Sequence, residues 1–321
     1  MKRNFREMLE AQWATGKFVC VGLDPDASKI PEHLKIAAKR VNSPVFPETA
    51  GAEAAFGLCA GIVEATKDIA LCYKPNSAFF EALGARDGMM RLRELIHFIH
   101  LHAPHAPVIL DAKRGDIGNT NNGYVKSAFE DLKADAITVH PYLGYAALAP
   151  FLADPDKGVI VLCRTSNQGA GEFQDLMVEN PIAGMDISKA GEDSGPVWAP
   201  KLIPLYERVA YNVVTDWNNN GNCALVVGAT PTSTFAMAGI RRIVGDNLPF
   251  LIPGIGAQGG DLEKTVAASK DSRGRGMIIN ASRSILYASN GEDFAEAARK
   301  ETQRMSDEIN RLLQPQPAEA V

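Results

Sequence analysis

The chain has 321 residues, 46% of them hydrophobic and 22% charged, which is ordinary for a protein that buries a core and excludes whole-chain disorder and collagen-like repeats. Thirty-three Lys and Arg against 38 Asp and Glu leave a net charge of −5, so there is no general attraction to nucleic acid or to anionic lipid. A small anionic ligand would need a local cationic site inside an acidic protein.

The first residues carry charges at Lys2, Arg3, Arg6, Glu7 and Glu10, which interrupt any signal-peptide core. Arg3 to Trp13 is amphipathic and suits the floor of a barrel. Apolar runs rich in Val, Ile and Leu follow at Phe18 to Leu23, Ile69 to Tyr73, Val108 to Leu110, Ala136 to Val139, Val159 to Cys163, Ala224 to Val227, Phe250 to Ile252 and Met277 to Ile279. Such runs predict buried parallel strands. Helical patterns accompany them at Gly51 to Thr66, Gly88 to His100, Tyr124 to Leu132, Tyr145 to Leu152, Leu202 to Trp217, Thr232 to Ile243, Asp261 to Ser269 and Asp293 to Leu313.

This eightfold alternation predicts an α/β protein of the (β/α)8 TIM-barrel class, since a doubly wound sheet shows fewer strands and a nucleotide turn after the first. One barrel domain is expected over residues 1–313, with long connections at about 24–50 and 164–200 and a flexible tail at 314–321. In a barrel both connections leave from the C-terminal face, where active sites sit. No run of about 18 apolar residues occurs, so no membrane span is expected. Cysteines 20, 59, 72, 163 and 223 include no C-x-x-C pair, which fits buried reduced thiols in a cytoplasmic protein.

The densest polar cluster, Asp111-Ala112-Lys113-Arg114-Gly115-Asp116, directly follows the third apolar run. Strand periodicity puts Asp111 and Lys113 on one face, with Ala112 toward the helices. Asp116 comes three residues after Lys113, so the ammonium is expected between two carboxylates that keep it protonated. Thr120 or Asn121 is a plausible cap for the following helix. Lys74 ends the second run and should project into the same mouth, making two lysines and two aspartates converge. The bland alternative is a solvated salt bridge at an ordinary strand end. Asp24 ends the first run, where it can accept hydrogen bonds from sugar hydroxyls or form an Asx turn before Pro25.

A phosphate site is suggested near the end of the chain. Pro253-Gly254-Ile255-Gly256-Ala257-Gln258-Gly259-Gly260 follows the seventh run and Arg283 follows the eighth; barrels commonly bind phosphate there. Gly254, Gly256 and Gly259 also spell G-x-G-x-x-G, but on the wrong strand and without the acid about 20 residues on that a dinucleotide site needs. His97, His100, His102 and His105 sit at a helix end away from the mouth and are expected at the surface, while His140 ends the fourth strand and could line the site or satisfy a backbone group.

Taken together, Lys74-Pro75-Asn76, Asp111-x-Lys113-x-x-Asp116 with Ile117-Gly118-Asn119-Thr120, Pro253 to Asp261, and Arg283-Ser284-Ile285 resemble the orotidine 5′-phosphate decarboxylase family in its longer bacterial form. The resemblance implies conversion of orotidine 5′-monophosphate to uridine 5′-monophosphate in de novo pyrimidine synthesis, without metal or organic cofactor. By the same resemblance Lys74, Asp111, Lys113 and Asp116 form the catalytic network and Lys113 protonates carbon 6. Asp24 and Lys74 then contact ribose, Gln258 and Arg283 hold phosphate, and Ser166 meets the pyrimidine. Asp116 and Thr120 reach a neighbouring subunit's site, which implies a homodimer. Two departures stand out: Ser282 replaces a glycine common in compact members, and Gly169 to Pro200 is longer than in them.

Loss of carbon dioxide leaves an electron pair on a ring carbon, and an ammonium about 4 Å from that charge is worth about 4 kcal/mol at an effective dielectric of 20. One rival is a magnesium-dependent sugar-phosphate decarboxylase or synthase of the same barrel superfamily, which tends to place an acidic metal ligand where Lys74 stands; a lysine there repels a cation. Another is a non-catalytic barrel that binds a nucleotide phosphate, for which a proton donor among carboxylates would be superfluous.

Overall fold

The apolar runs become strands because both of their faces are covered. In the computed structural model, which describes residues 2–41, 49–185, 199–255 and 260–314, these are β1 (Val19–Leu23), β2 (Cys72–Pro75), β3 (Ile109–Arg114), β4 (Ala136–Val139), β5 (Gly158–Arg164), β6 (Met177–Glu179), β7 (Leu202–Pro204), β8 (Cys223–Val227), β9 (Phe250–Pro253) and β10 (Met277–Ala281). Every residue of β1, β8 and β10 is buried, as expected of strands with helices outside and packed side chains inside. Eight of the strands form one parallel sheet in the order β2-β1-β10-β9-β8-β5-β4-β3. Isolated bridges Tyr73 to Val108 and Asn76 to Asp111 join its two edges, so the sheet closes into the expected TIM barrel.

The floor is sealed as the N-terminal pattern predicts. Helix Phe5–Trp13 buries Phe5, Leu9 and Trp13, and the Trp13 indole donates to the Met277 carbonyl at 2.8 Å. Phe5 covers Gly158 so closely that a Cβ there would lie 2.2 Å from its ring. Arg3 clamps the floor by donating to both Asp135 oxygens at 2.9 and 2.7 Å. His102 pairs with Glu64 at 2.8 Å and His100 stands 3.5 Å from Asp135, so these histidines belong to the floor and outer helices.

Three expectations are corrected. The connection at 24–50 carries a helix, Glu32–Val41. Leu202 to Pro204 is strand, not helix: β7 pairs antiparallel with β6, and the fixed ring of Pro204 delays the helix to Leu205–Asn212. The helix after β3 begins at Asn119 behind Gly118, with no side-chain cap from Thr120 or Asn121. All five cysteines are buried and free. Among the described residues no helix is long and apolar enough to cross a membrane. The tail, apart from Gln314, lies outside the described residues.

Candidate active site

The C-terminal ends of β1, β2 and β3 deliver three charged side chains to one cleft, which is also lined by Asn280 of β10 and by Ser282 and Arg283 just beyond it. Within it Lys74 Nζ donates to Asp111 Oδ2 at 2.9 Å and lies 3.9 Å from Asp24 Oδ1. Lys113 Nζ donates to the other Asp111 oxygen at 2.6 Å. The four groups thus alternate in sign: Asp24, Lys74, Asp111, Lys113.

Lys74 and Asp111 are buried, whereas the Lys113 side chain is half exposed. Burial works against charge on Lys74, but the Asp111 and Asp24 carboxylates outweigh it and hold the ammonium above its ordinary pKa. Burial likewise works against charge on Asp111, but Lys74 and Lys113 outweigh it and hold the carboxyl well below the usual range. Both groups are therefore charged at neutral pH, and the more exposed Lys113 is placed to meet a ligand.

Asp111 and Lys113 do meet, though not through regular strand alternation. The β3–β4 register slips between Leu110 and Arg114, and Lys113 has a positive φ of 49°. Nor is Lys113 held between two carboxylates of its own chain. Asp116 instead accepts from the Ile117 amide at 2.7 Å, and Thr120 is exposed in the first turn of helix Asn119–Val125.

No Asx turn forms at Asp24; its Oδ1 is buried without a hydrogen-bond partner among the described residues, an acceptor left open toward the cleft. Tyr287, which sequence reasoning missed, fixes this turn by donating to the Asp24 carbonyl at 3.0 Å and accepting from the Asp26 amide at 2.7 Å. Its signal was absent because it comes from a helix end 263 residues away.

In the same cleft, the Arg283 guanidinium has no carboxylate partner among the described residues, and the buried Ser284 hydroxyl has no hydrogen-bond partner among them. An unpaired cation beside an open hydroxyl suits an anion. Ser282 fits because β1 offers Gly22: a Cβ at Gly22 would lie 1.9 Å from Ser282 Oγ. Gln258 lies outside the described residues. The ends of its loop are pinned together, with Gly260 donating to the Gly254 carbonyl at 3.3 Å, and Asp261 caps the next helix by accepting from the Lys264 amide at 3.1 Å. Ser166 is half-buried just past β5, where a Cβ on Gly228 would lie 2.6 Å from its own. His140 sits behind Gly115, which could not carry a Cβ without meeting its ring at 2.7 Å.

Residues 17–299 match the model of the Orotidine 5′-phosphate decarboxylase / HUMPS family. The chain belongs to this family. It is 46% identical over 308 residues to an orotidine 5′-phosphate decarboxylase of Azoarcus sp. (strain BH72), covering 96% of this chain and 98% of the relative. A Cellvibrio japonicus (strain Ueda107) protein of the same name is 44% identical over 308 residues, with the same coverage. The solved structure of Leishmania donovani OMP decarboxylase superposes with a TM-score of 0.74 at 36% identity, covering 97% of this chain and 99% of that one.

Proposed function

We propose that this chain is a carboxy-lyase that converts orotidine 5′-monophosphate to uridine 5′-monophosphate in pyrimidine synthesis. The observation that carries this reading is the alternating Asp24-Lys74-Asp111-Lys113 row, whose first three members line a cleft together with Arg283, a cation with no carboxylate partner among the described residues, and which ends on the half-exposed Lys113 ammonium. Arg283 and Gln258 take the phosphate, the open Asp24 oxygen and Lys74 take ribose hydroxyls, and Ser166 meets the pyrimidine. The bond from carbon 6 to the carboxylate breaks, its electron pair stays on carbon 6, and carbon dioxide leaves. Lys113 stabilises that pair at close range and then passes a proton to it. Lys74 and Asp111 hold the ammonium in place throughout, so little reorganisation is needed as charge develops.

The magnesium-dependent alternative is not favoured: both Asp111 oxygens are engaged by ammonium groups, and a cation placed there would face two like charges. A homodimer fits the surface around Asp116 and Thr120. Ile117, Tyr142, Leu143 and Tyr145 are exposed there, a grouping of large apolar side chains that favours a covered face. Five buried free thiols fit a cytoplasmic setting, and residues 1–313 are read as one barrel domain.

The test follows loss of orotidine 5′-monophosphate with a chelator present, for the native chain and for Lys113→Ala. Chelator-insensitive turnover that disappears in Lys113→Ala supports the reading. Turnover abolished by chelator, no turnover by the native chain, or full activity of Lys113→Ala overturns it.

A further inference from the structure

Between the paired positions Leu110–Ile137 and Arg114–Val139, strand β3 spends three residues, Asp111, Ala112 and Lys113, while β4 spends one, Thr138. Such a bulge leaves backbone amides without strand partners. Here the Thr138 hydroxyl takes them, accepting from the Ala112 amide at 3.0 Å and the Lys113 amide at 2.9 Å. Its own proton goes to Asp111 Oδ1 at 2.9 Å. A hydroxyl has one donor and two acceptor sites, so all its capacity is spent on the three bulged residues. Thr138 is 1% exposed, so water cannot substitute for it.

We infer that Thr138 is a positioning residue for decarboxylation, whose hydroxyl holds the bulge that turns the Asp111 carboxylate and the Lys113 ammonium toward the reacting carbon. The inference rests on the function proposed above. Two features give it force. Lys113 is one of only two non-glycine residues with positive φ among those described, a conformation that persists only where surroundings impose it. The Asp111 oxygen bound by Thr138 is also the one that receives Lys113 Nζ, so a single hydroxyl fixes both ends of the Asp111–Lys113 pair. Arg283, which lines the cleft from beyond β10, is not among the hydrogen-bond partners of the Thr138 hydroxyl. Removing the hydroxyl should therefore weaken the chemical step and spare substrate binding.

The experiment measures kcat and KM for orotidine 5′-monophosphate in the native chain, Thr138→Val and Thr138→Ser. Val keeps the size and removes the hydroxyl; Ser keeps the hydroxyl. The expected result is a kcat lowered about tenfold or more in Thr138→Val with KM within about threefold, and a kcat for Thr138→Ser within about threefold of native. If Thr138→Val does not fold, Thr138→Ala should show the same split. Native kcat in Thr138→Val, impairment of Thr138→Ser equal to that of Val, a parallel rise in KM, or failure of both hydroxyl-free variants to fold while Ser folds would each overturn the assignment. A native chain without turnover overturns the proposed function itself, an outcome distinct from all of these.

Discussion

Lys74 and Asp111 meet at 2.9 Å from neighbouring strand ends, with only 5% and 12% of their side chains exposed. A buried ion pair of this kind gains little over an apolar pair, yet losing one partner strands a charge where water cannot reach it. Evolution of a folded barrel does not require the pair; a pre-set electrostatic field at the cleft does.

Lys74→Met should therefore destabilise the protein by about 3–5 kcal/mol and abolish turnover, because the Asp111 carboxylate stays buried with one ammonium fewer. Adding Asp111→Leu should restore much of the stability and none of the activity. Urea unfolding and decarboxylation assays on both variants check this. Equal stability of the single variant and the native chain would contradict the burial argument.

Arg283→Ala should raise KM for orotidine 5′-monophosphate about 10- to 100-fold, the loss expected when a charge-assisted contact to phosphate is removed. The unphosphorylated nucleoside, which offers nothing for Arg283 to hold, should be turned over equally by both proteins. Steady-state kinetics on the two substrates make the comparison. An equal loss on both would place Arg283 away from the phosphate.

The barrel and its cleft were legible in the sequence because buried parallel strands and the charges at their ends are local signals. Val19–Leu23 and Met277–Ala281 announce themselves by composition, and Asp111, Lys113 and Lys74 by following such runs. Asp24's place in the charge row is set by pairing between strands, which spacing along the chain does not encode. The bulge opposite Thr138 was invisible for the same reason: a Thr between Ile137 and Val139 reads as ordinary strand, and its partners lie 25 to 27 residues away. Helix Glu32–Val41 was missed because EHLKIAAKRV, half polar and half apolar, is short and lies in a proline-punctuated connection that reads as one long loop.

Below the barrel, Arg3 and the Val108 amide both bind Asp135. Burial opposes its ionisation, but the two hydrogen bonds and the charge of Arg3 prevail and lower its pKa to about 2. A folded pKa below the unfolded value near 4 contributes stability that is complete above about pH 4 and is lost as pH falls through about 2, amounting to about 2 kcal/mol. Asp135→Asn should accordingly be less stable than the native chain at pH 6, with the gap narrowing steadily between pH 4 and pH 2. Denaturant unfolding across that range measures it; a gap independent of pH would refute the linkage.

Within one chain Asp116 turns to its own loop and forms no ion pair with Lys113, while large apolar side chains lie exposed nearby. If Asp116 completes the site of a second copy, two inactive variants should repair one another. In a mixture of Lys113→Ala and Asp116→Ala, half of the freely exchanged dimers are mixed, and each mixed dimer carries one site with both native residues. Activity should then rise from near zero to about a quarter of the native level per site. The mixture should do so only after subunits have exchanged, and a dimer-sized species should be present by sedimentation. Asp116 acting within its own chain would leave every site in the mixture short of one residue, and no activity would return however long the exchange.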